Sequence, residues 1–143
     1  MTTPEELAAL HAQCFQLPPP WRAADFAPFL ADSACFLCQR SESGGLRAFA
    51  LFRVAADEAE LLTLATAPDA RRKGLARALL QEGLHMAQLR GARVCFLEVA
   101  APNMAAQALY ESLGFQRQGG RKGYYRAGGQ VADALVFRAE LAA

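Results

Sequence analysis

Apolar residues recur along this chain with two different periods. Over residues 75–88, Leu75, Leu79, Leu80, Gly83, Leu84 and Ala87 return every three to four positions, while Arg77, Gln81, His85 and Gln88 share the opposite side. That spacing predicts a long amphipathic helix over Gly74–Arg90, closed by Gly91 as its C-cap. Thr3-Pro4-Glu5-Glu6 reads as a helix start, with a Thr cap, Pro at the first helical position and Glu three residues after the cap. This first helix runs to about Phe15, where Leu17-Pro18-Pro19-Pro20 breaks it, and a second short helix covers Ala23–Ala31. Two apolar runs, Ala34–Gln39 and Leu46–Val54, flank Ser43-Gly44-Gly45 and read as a hairpin. After a turn at Asp57-Glu58, Glu60–Thr66 is a third strand.

Beyond the long helix, Arg93–Val99 is a short continuous apolar strand, the pattern expected where both sheet faces are covered. Pro102-Asn103 opens a helix through Leu113, capped by Asn103 and ended by Gly114. Strands near Phe115–Tyr125 and Val131–Leu141 follow, joined through Gly128-Gly129. The order α-α-β-β-β-α-β-α-β-β predicts an α/β (α+β) fold, a mixed sheet with helices on both sides.

Composition narrows the class. The 143 residues suit one domain over 1–143; with 53% hydrophobic and 20% charged residues, the chain can bury a core and is not disordered by composition. A net charge of +1 gives no bulk field for nucleic acid, so no nucleic-acid partner is expected, though a local basic patch stays open. No run of 18 apolar residues predicts a membrane span. The N-terminus lacks the basic head and apolar stretch of a signal peptide, and a cytoplasmic address is expected by default.

Cys35 and Cys38 form a CxxC, but their strand spacing puts the side chains on opposite faces, so buried free thiols are expected rather than a metal or redox pair. No metal is expected. His11 and His85 suit surface or structural roles better than catalysis.

Three constellations carry candidate chemistry. Arg71-Arg72-Lys73-Gly74-Leu75-Ala76 lies between a strand and the long helix. A helix start presents unpaired N–H groups and partial positive charge, and Gly74 with the small Ala76 lets a bound group come close, so the turn suits a pyrophosphate. A plain basic helix start on the surface has the same residues. Val94, Phe96 and Glu98 share one face of their strand, which puts Glu98 at the strand's carboxyl end, where ligands of open α/β sheets bind. A carboxylate drawn partly out of water there is a candidate base, or simply a Glu reaching solvent. Asn103 and Tyr110 sit on one helix and alone distinguish nothing from an ordinary capped helix.

In sequence order these residues do discriminate. Thr63-Leu64-Ala65-Thr66, Pro68, Arg71-Arg72-Lys73-Gly74-Leu75-Ala76, Leu97-Glu98-Val99, then Asn103 and Ala108-Leu109-Tyr110-Glu111-Ser112-Leu113-Gly114-Phe115 resemble the GCN5-related N-acetyltransferase (GNAT) superfamily. Within it, Glu98 and Tyr110 with Lys122-Gly123-Tyr124-Tyr125 and Asp133-Ala134 resemble the bacterial ribosomal-protein alanine N-acetyltransferases. The resemblance runs from about Ala59 to Leu141 and extends weakly upstream through Pro20-Trp21 and Phe26. It departs at Thr63, where these enzymes often carry Asn, and at Ala132, where an acidic residue is common.

The resemblance implies a mostly antiparallel sheet and acetyl-CoA as co-substrate. It implies that Leu64, Ala65 and Thr66 contact the acetyl and pantetheine arm through their backbone. Arg72, Lys73, Gly74, Leu75, Ala76 and Arg77 would cradle the pyrophosphate, and Asn103 would hydrogen-bond the arm. Glu98 would accept a proton and Tyr110 would donate one. The partner it implies is a protein N-terminus, with a small-subunit ribosomal protein as one candidate, and Asp133 could meet a basic second residue. Two other readings stay open: transfer to lysine or a small amine, and a non-catalytic module that binds acetyl-CoA.

Overall fold

The computed structural model describes residues 1–141; the expected domain span includes 142–143, which lie outside the described residues. Helix α1 (Pro4–Cys14) begins where the sequence places it. Thr3 Oγ1 accepts the Glu6 N–H at 3.2 Å and Glu6 Oε1 accepts the Thr3 N–H at 3.1 Å, closing a reciprocal cap. Next come α2 (Ala23–Ala31), β1 (Cys35–Glu42), β2 (Gly45–Ala55), β3 (Glu58–Thr66) and a short 3₁₀ turn, Pro68–Ala70. The chain continues through α3 (Leu75–Leu89), β4 (Val94–Ala100), α4 (Met104–Ser112), β5 (Gln116–Ala127) and β6 (Gln130–Glu140). The element order is the one the sequence predicts. Helix α3 starts one residue late, because Gly74 is its cap in the left-handed region at φ +75°.

The six strands form one sheet in the order β1-β2-β3-β4-β6-β5. Only β3 and β4 pair in parallel; α3 crosses between them, and every other neighbour is antiparallel. Helices α3 and α4 cover one face, over a core that includes Phe52, Leu79, Leu80, Leu97, Phe115 and Phe137. Helices α1 and α2 cover the other, over Leu7, Leu10, Phe26, Phe49, Leu51 and Ala65. At Gly83 the α3 backbone rides directly on the Phe52 ring, and a Cβ there would lie 2.0 Å from a ring carbon.

Two irregularities in β3 shape the molecule. Phe52 faces Leu61 but Leu51 faces Thr63, so Leu62 is an extra residue that bulges out of the β2–β3 ladder. Pairing of β3 with β4 ends at Leu61–Leu97. Past that point β3 stays with β2 to Thr66, while β4 stays with β6 to Ala100. The two strands therefore splay into a gap at their carboxyl ends. The expectation that β4 is covered on both faces holds for only one of them. Cys95, Leu97 and Val99 are buried, but α1 and α2 pack over β1–β3, and Phe96 and Glu98 on their side are half-buried.

Candidate active site

Glu98 is the first β4 residue beyond the last β3–β4 pair, so its side chain stands where the gap opens. The side chain keeps 27% of its exposure, and Oε1 lies 3.9 Å from Arg121 Nη2. Its Oε2 is buried and has no hydrogen-bond partner among the described residues. A buried carboxylate oxygen left unpaired is costly, which makes Glu98 a candidate to take up a proton or a donated hydrogen bond. Glu60 lies on the same side of the neighbouring strand. Desolvation first, and the Glu98 charge second, hold its carboxyl above the ordinary range.

Tyr110 stands on α4, its side chain in the core with Leu97 and Val99 of β4. It is 7% exposed, with its ring edge-on to Phe115 at 6.0 Å. Burial first, and Tyr125 second, push its phenol well above the usual range. Tyr125 of β5 is pushed up to about 12, by burial and then by the Glu98 charge. Tyr125 thus neighbours both Glu98 and Tyr110. It stands in the stretch Lys122-Gly123-Tyr124-Tyr125, where no local signal distinguishes it from Tyr124. Gln118 is an extra residue between Arg117, opposite Phe137, and Gly119, opposite Val136, so alternation counted from the start of β5 gives the wrong face for Tyr125; between Arg121 and Tyr125 three residues face only Asp133, an even insertion that keeps Tyr125 on the Arg121 side. Asp133 is occupied locally: its Oδ1 accepts the Gly123 N–H at 2.8 Å, holding that bulge at φ +61°.

The pyrophosphate candidates gather at the start of α3. Arg72 (φ +65°) and Gly74 (φ +75°) both adopt the left-handed region, which turns the chain sharply into the helix. Among the described residues no side chain caps that helix, which leaves its first-turn N–H groups for a ligand, and the space beside Gly74 is open, with nothing within 4 Å of a Cβ placed there. Arg72 and Lys73 are exposed beside them. The Arg77 guanidinium is engaged elsewhere, donating to Ser112 Oγ at 2.6 Å and fastening α3 to α4.

Leu64, Ala65 and Thr66 form the β3 wall of the gap. Leu64 packs toward the α3 side and Ala65 toward α1 and α2. The Thr66 carbonyl accepts from Cys14 Sγ and from Arg71 Nε, each at 3.2 Å. Asn103 caps α4, its Oδ1 accepting the Ala106 N–H at 3.1 Å, so only its amide end is left to donate to a ligand. Asn103 also lines a cavity of about 800 Å³ bounded by residues 12–17, Arg71, Ala100 and the 130–132 segment.

Cys35 and Cys38 pack into opposite cores, as their spacing predicts, and all four thiols are free. Burial pushes Cys95 up to about 12, which removes it as a nucleophile at neutral pH. Among the described residues no group of three or more His, Cys, Asp or Glu gathers around a point. No described helix is long and apolar enough to cross a membrane.

The acetyltransferase (GNAT) family model matches residues 5–115, which span both strands of the gap, the α3 turn and α4. The chain belongs to the GNAT family. It is an N-acetyltransferase. The [Ribosomal protein bS18]-alanine N-acetyltransferase of Escherichia coli strain K12 is 42% identical over 99 residues, 69% of this chain and 67% of that protein. The N-alpha-acetyltransferase RimI of Mycobacterium tuberculosis is 39% identical over 138 residues, 94% of this chain and 84% of that one. The crystal structure of the ribosomal-protein-S18-alanine N-acetyltransferase from Escherichia coli superposes with a TM-score of 0.88 at 33% identity, covering 98% of this chain and 88% of the other. Acetyltransferases of this family use acetyl-CoA.

Proposed function

We propose that this GNAT enzyme acetylates the α-amine of a protein N-terminus that begins with a small residue such as alanine, by direct transfer from acetyl-CoA. A ribosomal protein is the acceptor class that the named relatives suggest. The observation that carries the reading is the buried Glu98 Oε2, without a hydrogen-bond partner among the described residues, at the opening of a strand gap.

The residues fit acetyl-CoA. The uncapped α3 start offers backbone N–H groups and two exposed cations to a pyrophosphate. The splayed strands leave backbone polar groups free of a β3–β4 ladder for an amide-bearing arm, and Asn103 can donate to the same arm. Bound there, acetyl-CoA would supply a thioester carbonyl for the amine to attack. Glu98 accepts the proton that the amine loses, directly or through water. Tyr110, held neutral by burial, offers its O–H to the departing sulfur. A phenol so reluctant to ionise gains little by full proton transfer to a thiolate, so its main contribution is a hydrogen bond to developing negative charge.

The acceptor follows from energetics. An α-amine with a pKa near ~8 is easier to deprotonate at neutral pH than a lysine near ~10.4, by about 3 kcal/mol. One carboxylate base is then sufficient. The deciding experiment incubates acetyl-CoA with three peptides: one beginning with Ala, its N-blocked form, and a blocked form carrying a free lysine. Mass spectrometry is expected to find acetyl only on the free Ala peptide. Equal rates on the blocked lysine peptide would move the assignment to lysine or small amines, and cofactor binding with no product on any amine would make the chain a binding module.

A further inference from the structure

The two carboxylate oxygens of Glu98 have different surroundings. Oε2 is buried, while Oε1 lies 3.9 Å from Arg121 Nη2. Among the described residues no other cation pairs with Glu98. The sheet sets Arg121 there. Arg121 of β5 pairs with Ala134 of β6 and Glu98 of β4 pairs with Val136, two residues apart on one face of β6. Just past Arg121, the Gly123 N–H donates to Asp133 Oδ1 at 2.8 Å and ties the bulge down. The guanidinium also lies over the Tyr124 ring, 5.0 Å from its centroid. It thus has two supports, a carboxylate and an aromatic face, while its side chain keeps 57% of its exposure.

The other charges nearby show what this cation can do. Glu60 of β3 stands on the same side as Glu98 and feels its charge, so two acids share one neighbourhood. Arg53, opposite Glu60 on β2, also faces Asp32 at 4.0 Å. Tyr125 carries no charge near neutrality, its phenol being pushed up to about 12. An amine comes to this place from neutral water chiefly as its ammonium. Two acids with no cation beside them would hold that ammonium as an ion pair. An ammonium has no lone pair with which to attack a thioester, and tighter binding of the unreactive form lowers KM without raising the rate.

We propose that Arg121 is a positioning residue acting through Glu98: its guanidinium competes with the acceptor's ammonium for that carboxylate, so the amine gives up its proton instead of settling into an ion pair. The N–H bond breaks, its electron pair stays on nitrogen for the attack, and the proton passes to Glu98. The Tyr124 ring keeps a seat for the guanidinium when an amine draws close to Oε1. The proposal rests on the acetyl-transfer reading, with Glu98 as the base.

Steady-state kinetics on whichever amine the wild type acetylates tests it. Arg121→Gln removes the cation and leaves both acids. The acceptor KM is expected to fall about fivefold, the scale of one exposed ion pair. The kcat should fall by a similar factor, because the added attraction is to the ammonium and vanishes once the proton has moved, so kcat/KM and the acetyl-CoA KM stay within about twofold. Arg121→Lys keeps the charge and should return both acceptor constants towards wild type. In a Glu98→Gln background, Arg121→Gln should change the acceptor KM by less than about twofold, because the group it acts through is gone. A merely structural arginine would lower the melting temperature and leave the acceptor KM unchanged or raised. Arg121→Met, also neutral, decides if Arg121→Gln does not fold. An acceptor KM that holds or rises in the folded neutral variants, or a fall that persists in the Glu98→Gln background, overturns this proposal alone. A wild type that acetylates no amine overturns the transfer reading, and this proposal with it.

Discussion

The two halves of the sheet solve the problem of burial differently. In the β1–β3 half, helices press on both faces, and Ala48 to Phe52 on β2 form five consecutive residues with no exposure. Successive side chains feed opposite cores there, Phe49 and Leu51 toward α1 and α2, Ala50 and Phe52 toward α3. In the β4–β6–β5 half only one face is packed, by Cys95, Leu97, Val99, Leu135 and Phe137, while Phe96, Glu98, Val136 and Arg138 stay half-buried on the other. The closed half contains a buried polar pair, and both partners are satisfied in the His11–Thr63 contact. The open half keeps a carboxylate oxygen without a partner among the described residues. A desolvated polar group survives in a sealed core only when paired, so reactive groups collect at the seam where one half gives way to the other.

The sharpest way to break this comparison is Glu98→Gln. The amide keeps the shape but accepts no proton, so kcat should fall on the order of a hundredfold or more. The melting temperature should barely change, because the open half does not depend on that carboxylate for packing. Steady-state kinetics across pH checks the assignment: the deficit should shrink at high pH, where the amine is already neutral. A wild-type rate at neutral pH would remove Glu98 from catalysis.

Acid tests the closed half. His11 is held neutral when folded, with its pKa down from 6.5 to about 4. Unfolded chains bind the proton first, so this contribution is complete above pH 6.5 and is lost as pH falls toward about 4. Across that window the loss should total about 3 kcal/mol. Denaturant melts at several pH values measure it, and His11→Gln should flatten that part of the curve.

Gly83→Ala tests packing in the same half. The new Cβ would collide with Phe52, whose ring is stacked on Phe36 at 5.3 Å and cannot move away freely. Overpacking should cost about 2 kcal/mol, more than the modest helix-propensity gain of Ala over Gly returns. Thermal unfolding reads the loss, while the rate per folded molecule should hold.

Gly74→Asp is the smallest expected effect and lies outside both cores. A carboxylate at the α3 start, where φ is +75°, would face the bound phosphates and should weaken acetyl-CoA about tenfold, or about 1.4 kcal/mol. Calorimetry on the folded variant decides it, and unchanged affinity would take the pyrophosphate away from this turn.

Much of this molecule follows from short stretches of chain. The Thr3–Glu6 cap, the α3 stripe from Leu75 to Ala87, the Asn103 cap and the separation of Cys35 from Cys38 all obey rules of period 3.6 or 2 that act within a few residues. Local periodicity therefore determined the element order and put Glu98 on the face it occupies. The packed structure decided the rest. Leu62 bulges out of the β2–β3 ladder where the β3–β4 pairing ends, which no local pattern encodes. His11 finds Thr63 across 52 residues, and Tyr125 falls on the Glu98 side because the one-residue bulge at Gln118 shifts alternation along β5. Such contacts are set by which surfaces fit once strands and helices dock, a property of the assembled layers that no window of neighbouring residues contains.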